Sequence, residues 1–273
     1  MSTSEFEDSV GPRELPTRHV ATLALRFTAS LDVERLLCAL GDYLSALRMH
    51  GQVCGREPPT VRTESTLLVT LLIPEAAGLA RLHDNSHVLR FREALTAAGA
   101  SHIEVAVLGP DPYSADGCAC AAPPSYILYT SANSLESPVR CGACFGPIPL
   151  YRLPPIRDDE YFDVVSWQTE YLACDALELS CGVLELQARR ELSRHDSRLS
   201  RAGRALCQSI EARTHRPTFY YLYRYGARDR RRDRARHCPS CGRAWLLPEP
   251  WHDRFDFRCE PCRLVSQIAL DVR

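Results

Sequence analysis

Residues 237–245 read HCPSCGRAW, and residues 255–266 read FDFRCEPCRLVS. Cys238, Cys241, Cys259 and Cys262 therefore form a C-x2-C-x17-C-x2-C pattern. Two residues between thiolates let one tight turn aim both sulfurs at a single ion. Pro239 and Gly242 are residue types that supply the fixed and positive φ values such a knuckle uses. Four thiolates leave no open coordination position, so the spacing predicts a closed, structural Zn2+ site. Between the pairs, Trp245, Leu246, Leu247, Phe255 and Phe257 predict a short hairpin whose apolar face covers the metal. Metal binding then supplies folding energy that so small a module lacks. A zinc ribbon over residues 237–273 is the expectation.

A second set lies upstream. Cys141 and Cys144 form a knuckle in RCGACFG, flanked by Gly142 and Gly146, and Cys118 and Cys120 precede it to give C-x-C-x20-C-x2-C. A C-x-C pair chelates less commonly than C-x2-C, so two readings stay open. The four form a second zinc site, or Cys118 and Cys120 are loop thiols beside a structural or redox-active turn. The redox reading lacks a strand-to-helix junction, since Pro147 and Pro149 follow instead. The chain has 13 cysteines, an odd number in clustered spacing, which points to metal rather than disulfides. Cys38, Cys174, Cys181 and Cys207 fall in predicted helices and Cys54 follows one, so these read as small buried apolar residues.

Outward from the cysteines, the chain divides by texture. Residues 2–16 read as a frayed leader. Residues 17–110 alternate strand and helix patterns: HVATLALRF from His19, a helix with Val33, Leu36, Leu37, Leu40, Leu44 and Leu47 on one face behind Asp32 as cap, ESTLLVTLLIP stopped by Pro74, a helix from His87, and HIEVAVLG. This βαβαβ order predicts an α+β, ferredoxin-like sandwich with helices on one side of the sheet. Residues 111–155 are rich in Cys and Pro, with a strand at SYILYTSA. Residues 156–226 read as helical. A long stretch at 158–194 opens with Asp158 and Asp159, which suit a helix dipole, and a second helix is capped by Ser200. The strand TFYYLYRYG closes that region, and RDRRRDRAR at 228–236 reads as a linker to the ribbon.

The composition bounds the partners. All of the basic charge is arginine, and the formal net charge is −1 with pI ≈ 6.7, so the whole molecule has no long-range pull on polyanions. Any nucleic-acid surface must be local. The longest apolar run, TLLVTLLIP, is too short to span a bilayer, and the N-terminus has no apolar h-region, so a cytoplasmic protein without a membrane segment is expected. Arg228, Arg230, Arg231, Arg232 and Arg234 crowd one segment. Alternation places Phe219, Tyr221, Tyr223 and Tyr225 on one strand face, so Tyr221 and Tyr223 are candidates to stack on bases while the arginines hold phosphates. The competing reading makes that aromatic face core and pairs the arginines with nearby acidic helices. The ribbon offers no basic face of its own, because residues 237–273 hold as many acidic side chains as arginines.

The phrases SPVRCGACFGPIPLYRLP, FYYLYRYG, CPSCGRAW and FDFRCEPCRLVS together resemble a bacterial family of uncharacterised proteins described as zinc-ribbon-containing and, by prediction, nucleic-acid-binding. The resemblance runs from about Ser125 to Ser266 and implies a zinc ribbon. Two functions compete: nucleic-acid binding, and a protein-interaction role as an adaptor or an antitoxin-like immunity protein that masks a partner. An enzyme is a third choice and is not expected. His83 and His87 are spaced i, i+4 but lack the glutamate of HExxH, and Asn85 and Ser86 suit a turn or cap. GRALCQS and SRHDSR hold nucleophile types without an elbow or triad, and no small-molecule substrate is evident.

Overall fold

Strict alternation in β1 (His19–Arg26) sends Ala21, Leu23 and Leu25 to one face, where none exceeds 1% exposure. Leu67, Val69, Leu71 and Ile73 do the same from β3 (Thr66–Ile73). α1 (Val33–Met49) and α2 (Ser86–Ala97) bury Leu36, Leu40, Leu47, Val88 and Leu95 against that face. The computed structural model describes residues 17–28, 32–157 and 160–270. Asp32 caps α1 by accepting from the Glu34 N–H, as its position implied. β2 (Thr60–Arg62) and β4 (His102–Pro110) complete an antiparallel sheet in the order β2-β3-β1-β4, the ferredoxin-like arrangement. The element order is therefore βαββαβ rather than βαβαβ. All three side chains of β2 are exposed, so this edge strand carries no buried alternation by which a sequence pattern finds a strand.

The second sheet has six strands in the order β6-β5-β7-β10-β9-β8. They are β5 (Tyr126–Leu128), β6 (Val139–Cys141), β7 (Thr218–Tyr221), β8 (Leu246–Trp251), β9 (Phe255–Cys259) and β10 (Leu264–Ser266). β5, β7 and β10 are mutually parallel neighbours, with antiparallel β6 on one side and the β9 and β8 hairpin on the other. The strands of the terminal cysteine module are thus continuous with those of the middle region through the β7 to β10 pairing.

A helical layer of α3 (Phe162–Leu179), α4 (Glu185–Ser193) and α5 (Arg198–Thr214) connects β6 to β7. The stretch expected to be one long helix breaks between α3 and α4, where Cys181 at φ 48° and Leu184 at φ 64° adopt left-handed backbone. Ser197, not Ser200, caps α5 and accepts from the Ser200 N–H. Ser200 instead lies fully buried and receives a hydrogen bond from the Tyr220 hydroxyl at 3.3 Å. Gly203 lets α5 lie directly on β7, since a Cβ there would stand 2.2 Å from the Tyr220 ring. Asp158, Asp159 and residues 2–16 lie outside the described residues.

The segment 228–236 is not a solvated linker. It forms α6 (Arg230–Arg234), capped by Asp229 and anchored by Asp233, which is 3% exposed. Asp233 accepts from Arg224 Nε at 3.0 Å and from the Ala269 N–H at 2.8 Å, with Arg236 3.7 Å away. A single buried carboxylate in the middle of an arginine-rich run is what gives the run an inward side.

The two sheets are joined by charged and polar contacts. Arg18, 5% exposed, donates to Asp111 and to Glu136, each at 2.8 Å. Tyr151 donates to Glu75 at 2.7 Å. Among the described residues no helix is long and apolar enough to cross a membrane.

Candidate metal centres

Cys238, Cys241, Cys259 and Cys262 bring their sulfurs within 4.8 Å of one another, and Cys118, Cys120, Cys141 and Cys144 do the same. The Cys241 and Cys259 sulfurs stand 3.6 Å apart. A tetrahedral ion with Zn–S bonds near 2.3 Å sets its ligand sulfurs about 3.8 Å apart, whereas a disulfide needs about 2.05 Å. The thiols are free, and their separation suits a shared ion. Both quartets can hold a metal ion, and an all-thiolate donor set fits Zn2+. Among the described residues, no other group of three or more His, Cys, Asp or Glu side chains converges in this way. The open question at Cys118 and Cys120 is thereby narrowed: these loop thiols do converge on the CGAC knuckle.

All three C-x2-C knuckles share one backbone device. The residue after the second cysteine is left-handed in each: Gly242 at φ 71°, Phe145 at φ 61° and Arg263 at φ 51°. The Gly242 N–H donates to the Cys238 carbonyl at 2.8 Å, and the Phe145 N–H to the Cys141 carbonyl at 2.9 Å, so the two turns close alike. Only Gly242 advertised this in the sequence. Phe145 and Arg263 adopt it at a strain that the packed or ligated turn must offset.

The upstream centre is assembled by close backbone approach. A Cβ on Gly146 would stand 2.7 Å from the Cys118 nitrogen, and one on Gly142 would stand 1.9 Å from Ser125 Oγ and 2.9 Å from the Ser125 carbonyl oxygen. Without side chains, these two glycines let the 117–118 loop and the start of β5 close on the knuckle. The Cys118 N–H donates to the Pro147 carbonyl at 3.1 Å, which fixes the loop's register.

Electrostatics favour a cation in both places. The Arg243 N–H pulls Cys241 down to about 7, while burial pushes Cys238 and Cys259 up. At the upstream centre burial holds Cys118 and Cys144 above the ordinary thiol range. Cys141 falls below it because hydrogen bonds from the Cys144 and Ala143 N–H groups and the Cys118 and Cys144 thiols together outweigh its own burial. Four thiolates this close repel one another, so full ionisation of either quartet needs a positive ion at its centre.

The two centres touch through His252 in the β8–β9 turn. Its Nε2 donates to the Gly142 carbonyl at 3.0 Å, and its ring stacks on Phe145 at 5.3 Å. The tip of one cysteine hairpin therefore rests on the knuckle of the other. No spacing in the sequence signals this contact.

The proposed nucleic-acid residues separate into two groups. Arg228, Arg230, Arg231, Arg232 and Arg234 are exposed. Arg232 lies 3.9 Å from Asp229, and no ion pair is formed by the other four among the described residues. Tyr221 and Tyr223 are 6% and 7% exposed. Tyr221 bonds Gln267, Tyr223 donates to Glu178 at 3.1 Å, and the Tyr221 ring packs 4.9 Å from Tyr129. Tyr221 is enclosed because β7 sits in the middle of the sheet with both sides covered, which cancels any exposed alternation, and Tyr223 is enclosed just past the strand's end. His83 ends a short 3-10 turn, and Asn85 caps α2 by accepting from the Val88 N–H, as a turn reading of HDNSH implied. Of the remaining cysteines, Cys207 is buried, Cys54 and Cys174 are half-buried, and Cys38 and Cys181 are exposed rather than core.

Residues 120–223 match the family described as a domain of unknown function, DUF2310. Residues 18–109 and 227–272 match two further domains of unknown function, DUF8589 and DUF8594. A Haemophilus influenzae protein described as uncharacterized is 36% identical over 242 residues, covering 87% of this chain and 93% of its own. Another from that organism, described in the same words, is 41% identical over 160 residues, covering 58% of this chain and 79% of its own. A solved structure from Caulobacter crescentus, provisionally described as an antibiotic biosynthesis monooxygenase, is 11% identical and covers 36% of this chain and 93% of its own. Its TM-score of 0.30 is too low to carry an argument. Shared identity along most of both chains means that the protein belongs to the bacterial family of the first Haemophilus influenzae relative, with a DUF2310 domain at its centre.

Proposed function

We propose that both cysteine quartets hold Zn2+ as closed structural centres and that the sheet they brace presents α6 as a nucleic-acid-binding element. The observation that carries this reading is the outward set Arg228, Arg230, Arg231 and Arg234, exposed and without an ion-pair partner among the described residues, on and just before a helix fixed by Asp233. Guanidinium groups so placed suit phosphate oxygens, and the binding is sequence-independent because phosphate contacts carry no information about the bases. Tyr221 and Tyr223 hold the sheet together in this reading and contact no base. Reduced thiolates ligating metal fit a cytoplasmic setting.

The test replaces Arg230, Arg231 and Arg232 with Ala and measures fluorescence anisotropy with a single-stranded RNA and a DNA duplex across a salt series. Affinity should fall for every sequence, and the slope of log K against log salt should flatten by about 0.7–0.9 for each phosphate no longer neutralised. Unchanged binding by the variant, or no binding by the parent at low salt, removes the reading. The protein-partner alternative, an adaptor or immunity-type protein, would then lead. One observation favours it: Leu179, Val183, Leu184 and Leu186, from the end of α3 to the start of α4, are each at least 53% exposed.

A further inference from the structure

β5, β7 and β10 run parallel side by side, and their carboxyl ends open into one cleft of about 420 Å3. Crevices at this end of parallel strands are where ligands commonly bind, because the chain leaves neighbouring strands in different directions. Thr130 follows β5, Tyr221 closes β7 and Gln267 follows β10, and all three line the cleft. α3 forms a second wall, because Tyr171, Asp175 and Leu179 recur every four residues and share one helix face. The β8–β9 turn places Asp253 and Arg254 along the same cleft.

Two polar groups in this cleft lack the partners that burial calls for. Asp175 is 7% exposed, and its Oδ2 accepts from the Ala132 N–H at 2.6 Å, but no basic side chain pairs with it among the described residues. Glu178, on the next turn of α3, is by contrast matched by Arg189 and by the Tyr223 hydroxyl, each at 3.1 Å. Thr130 is 1% exposed, and its hydroxyl has no hydrogen-bond partner among the described residues. Burial first, then the Glu178 charge, hold the Asp175 carboxyl above the usual range despite the Ala132 N–H. A buried carboxylate in this position gains most from a cationic N–H donor.

The remaining lining narrows the ligand further. Asp175 and Asp253 outnumber Arg254, whose guanidinium already donates to the Tyr129 hydroxyl at 3.0 Å and lies 5.3 Å over that ring. Tyrosine π-density and hydroxyl oxygens favour positive charge, and an anion would meet Asp175 head-on. Leu179 and Leu270, 60% and 69% exposed, offer apolar surface to the rest of a bound molecule. We propose that this cleft binds a small amphipathic organic cation, with an amine or amidinium nitrogen on Asp175. Such binding is independent of any nucleic-acid binding by α6.

Isothermal titration calorimetry of the full chain with benzamidinium, and with its near-isosteres benzamide and benzoate, tests it. Benzamidinium should bind saturably at one site, with the neutral and anionic compounds weaker by about tenfold or more. Asp175→Asn keeps an oxygen for the Ala132 N–H but removes the charge, and should weaken benzamidinium by a similar factor with its melting temperature kept. Should that variant fold poorly, amide NMR shifts of the parent serve instead: benzamidinium should move the Thr130, Ala132 and Gln267 signals. No binding of benzamidinium, equal binding of benzoate, undiminished binding by a folded Asp175→Asn, or shifts confined elsewhere would each overturn the proposal.

Discussion

The two cysteine quartets close the same kind of cage by different routes. At the terminal centre, knuckles before β8 and after β9 are carried to each other by one hairpin, so neighbouring chain does most of the work. The upstream centre joins a loop at Cys118 and Cys120 to the end of β6, and depends on the glycines at 142 and 146 having no side chain. Cys141 is fully buried in the core of the six-stranded sheet, whereas Cys241 is exposed. One centre is written mainly into local spacing and the other into packing, and identical chemistry need not be equally legible.

Metal removal should produce the largest effect. Elemental analysis of protein purified without added metal should give about two zinc ions per chain, and Cys141→Ser or Cys259→Ser should each bring the count near one. Stripping with a strong chelator forfeits most of a binding free energy of about 10–16 kcal/mol per structural site. Hydrogen exchange should then show β8, β9 and the 117–146 region opening while β1, β3 and α1 stay protected. A fully protected zinc-free hairpin would break the parallel between the centres. Next comes Asp233→Ala, which leaves Arg236, already lowered to about 10 by burial, without its carboxylate. Loss of a buried charge partner costs about 3–5 kcal/mol, read as a lower urea midpoint. A negligible change would mean that α6 is a linker after all.

The glycine pair gives the sharpest contrast with the smallest effects. Gly142→Ala forces a Cβ into the Ser125 backbone, and overpacking of that kind costs about 1–3 kcal/mol. Gly242→Ala meets nothing within 4 Å and should lose only the left-handed preference of its φ of 71°, about 1 kcal/mol. Thermal melts of the two zinc-loaded variants compare them directly. Equal losses would show that the close approach at Gly142 does not set the upstream knuckle apart.

The nature of β7 shows where sequence reading stops. Phe219, Tyr220 and Tyr221 implied a strand with two distinguishable faces, and the strand is there, but both faces are covered. Whether a strand is central or at an edge depends on which distant segments pair with it, here β5 and β10. The same limit applies to RDRRRDRAR. Its charge was plain, while the burial of Asp233 depended on Arg224 and the Ala269 N–H arriving from either side. β2 went unseen because an exposed edge strand carries no apolar period.

What the sequence determined by itself was whatever physics acts over a few residues: the C-x2-C knuckles, the Asp32 cap, and the strand and helix periods of the ferredoxin-like unit. Tertiary structure alone decided what required chain segments far apart to meet. It drew Cys118 and Cys120 to the Cys141 knuckle, set His252 against Gly142, paired β10 with β7, and left Asp175 with no basic partner among the described residues. Spacing encodes local turns because bond geometry limits them to a few conformations. Long-range convergence depends on packing, where one absent Cβ or one buried carboxylate decides which surfaces come together.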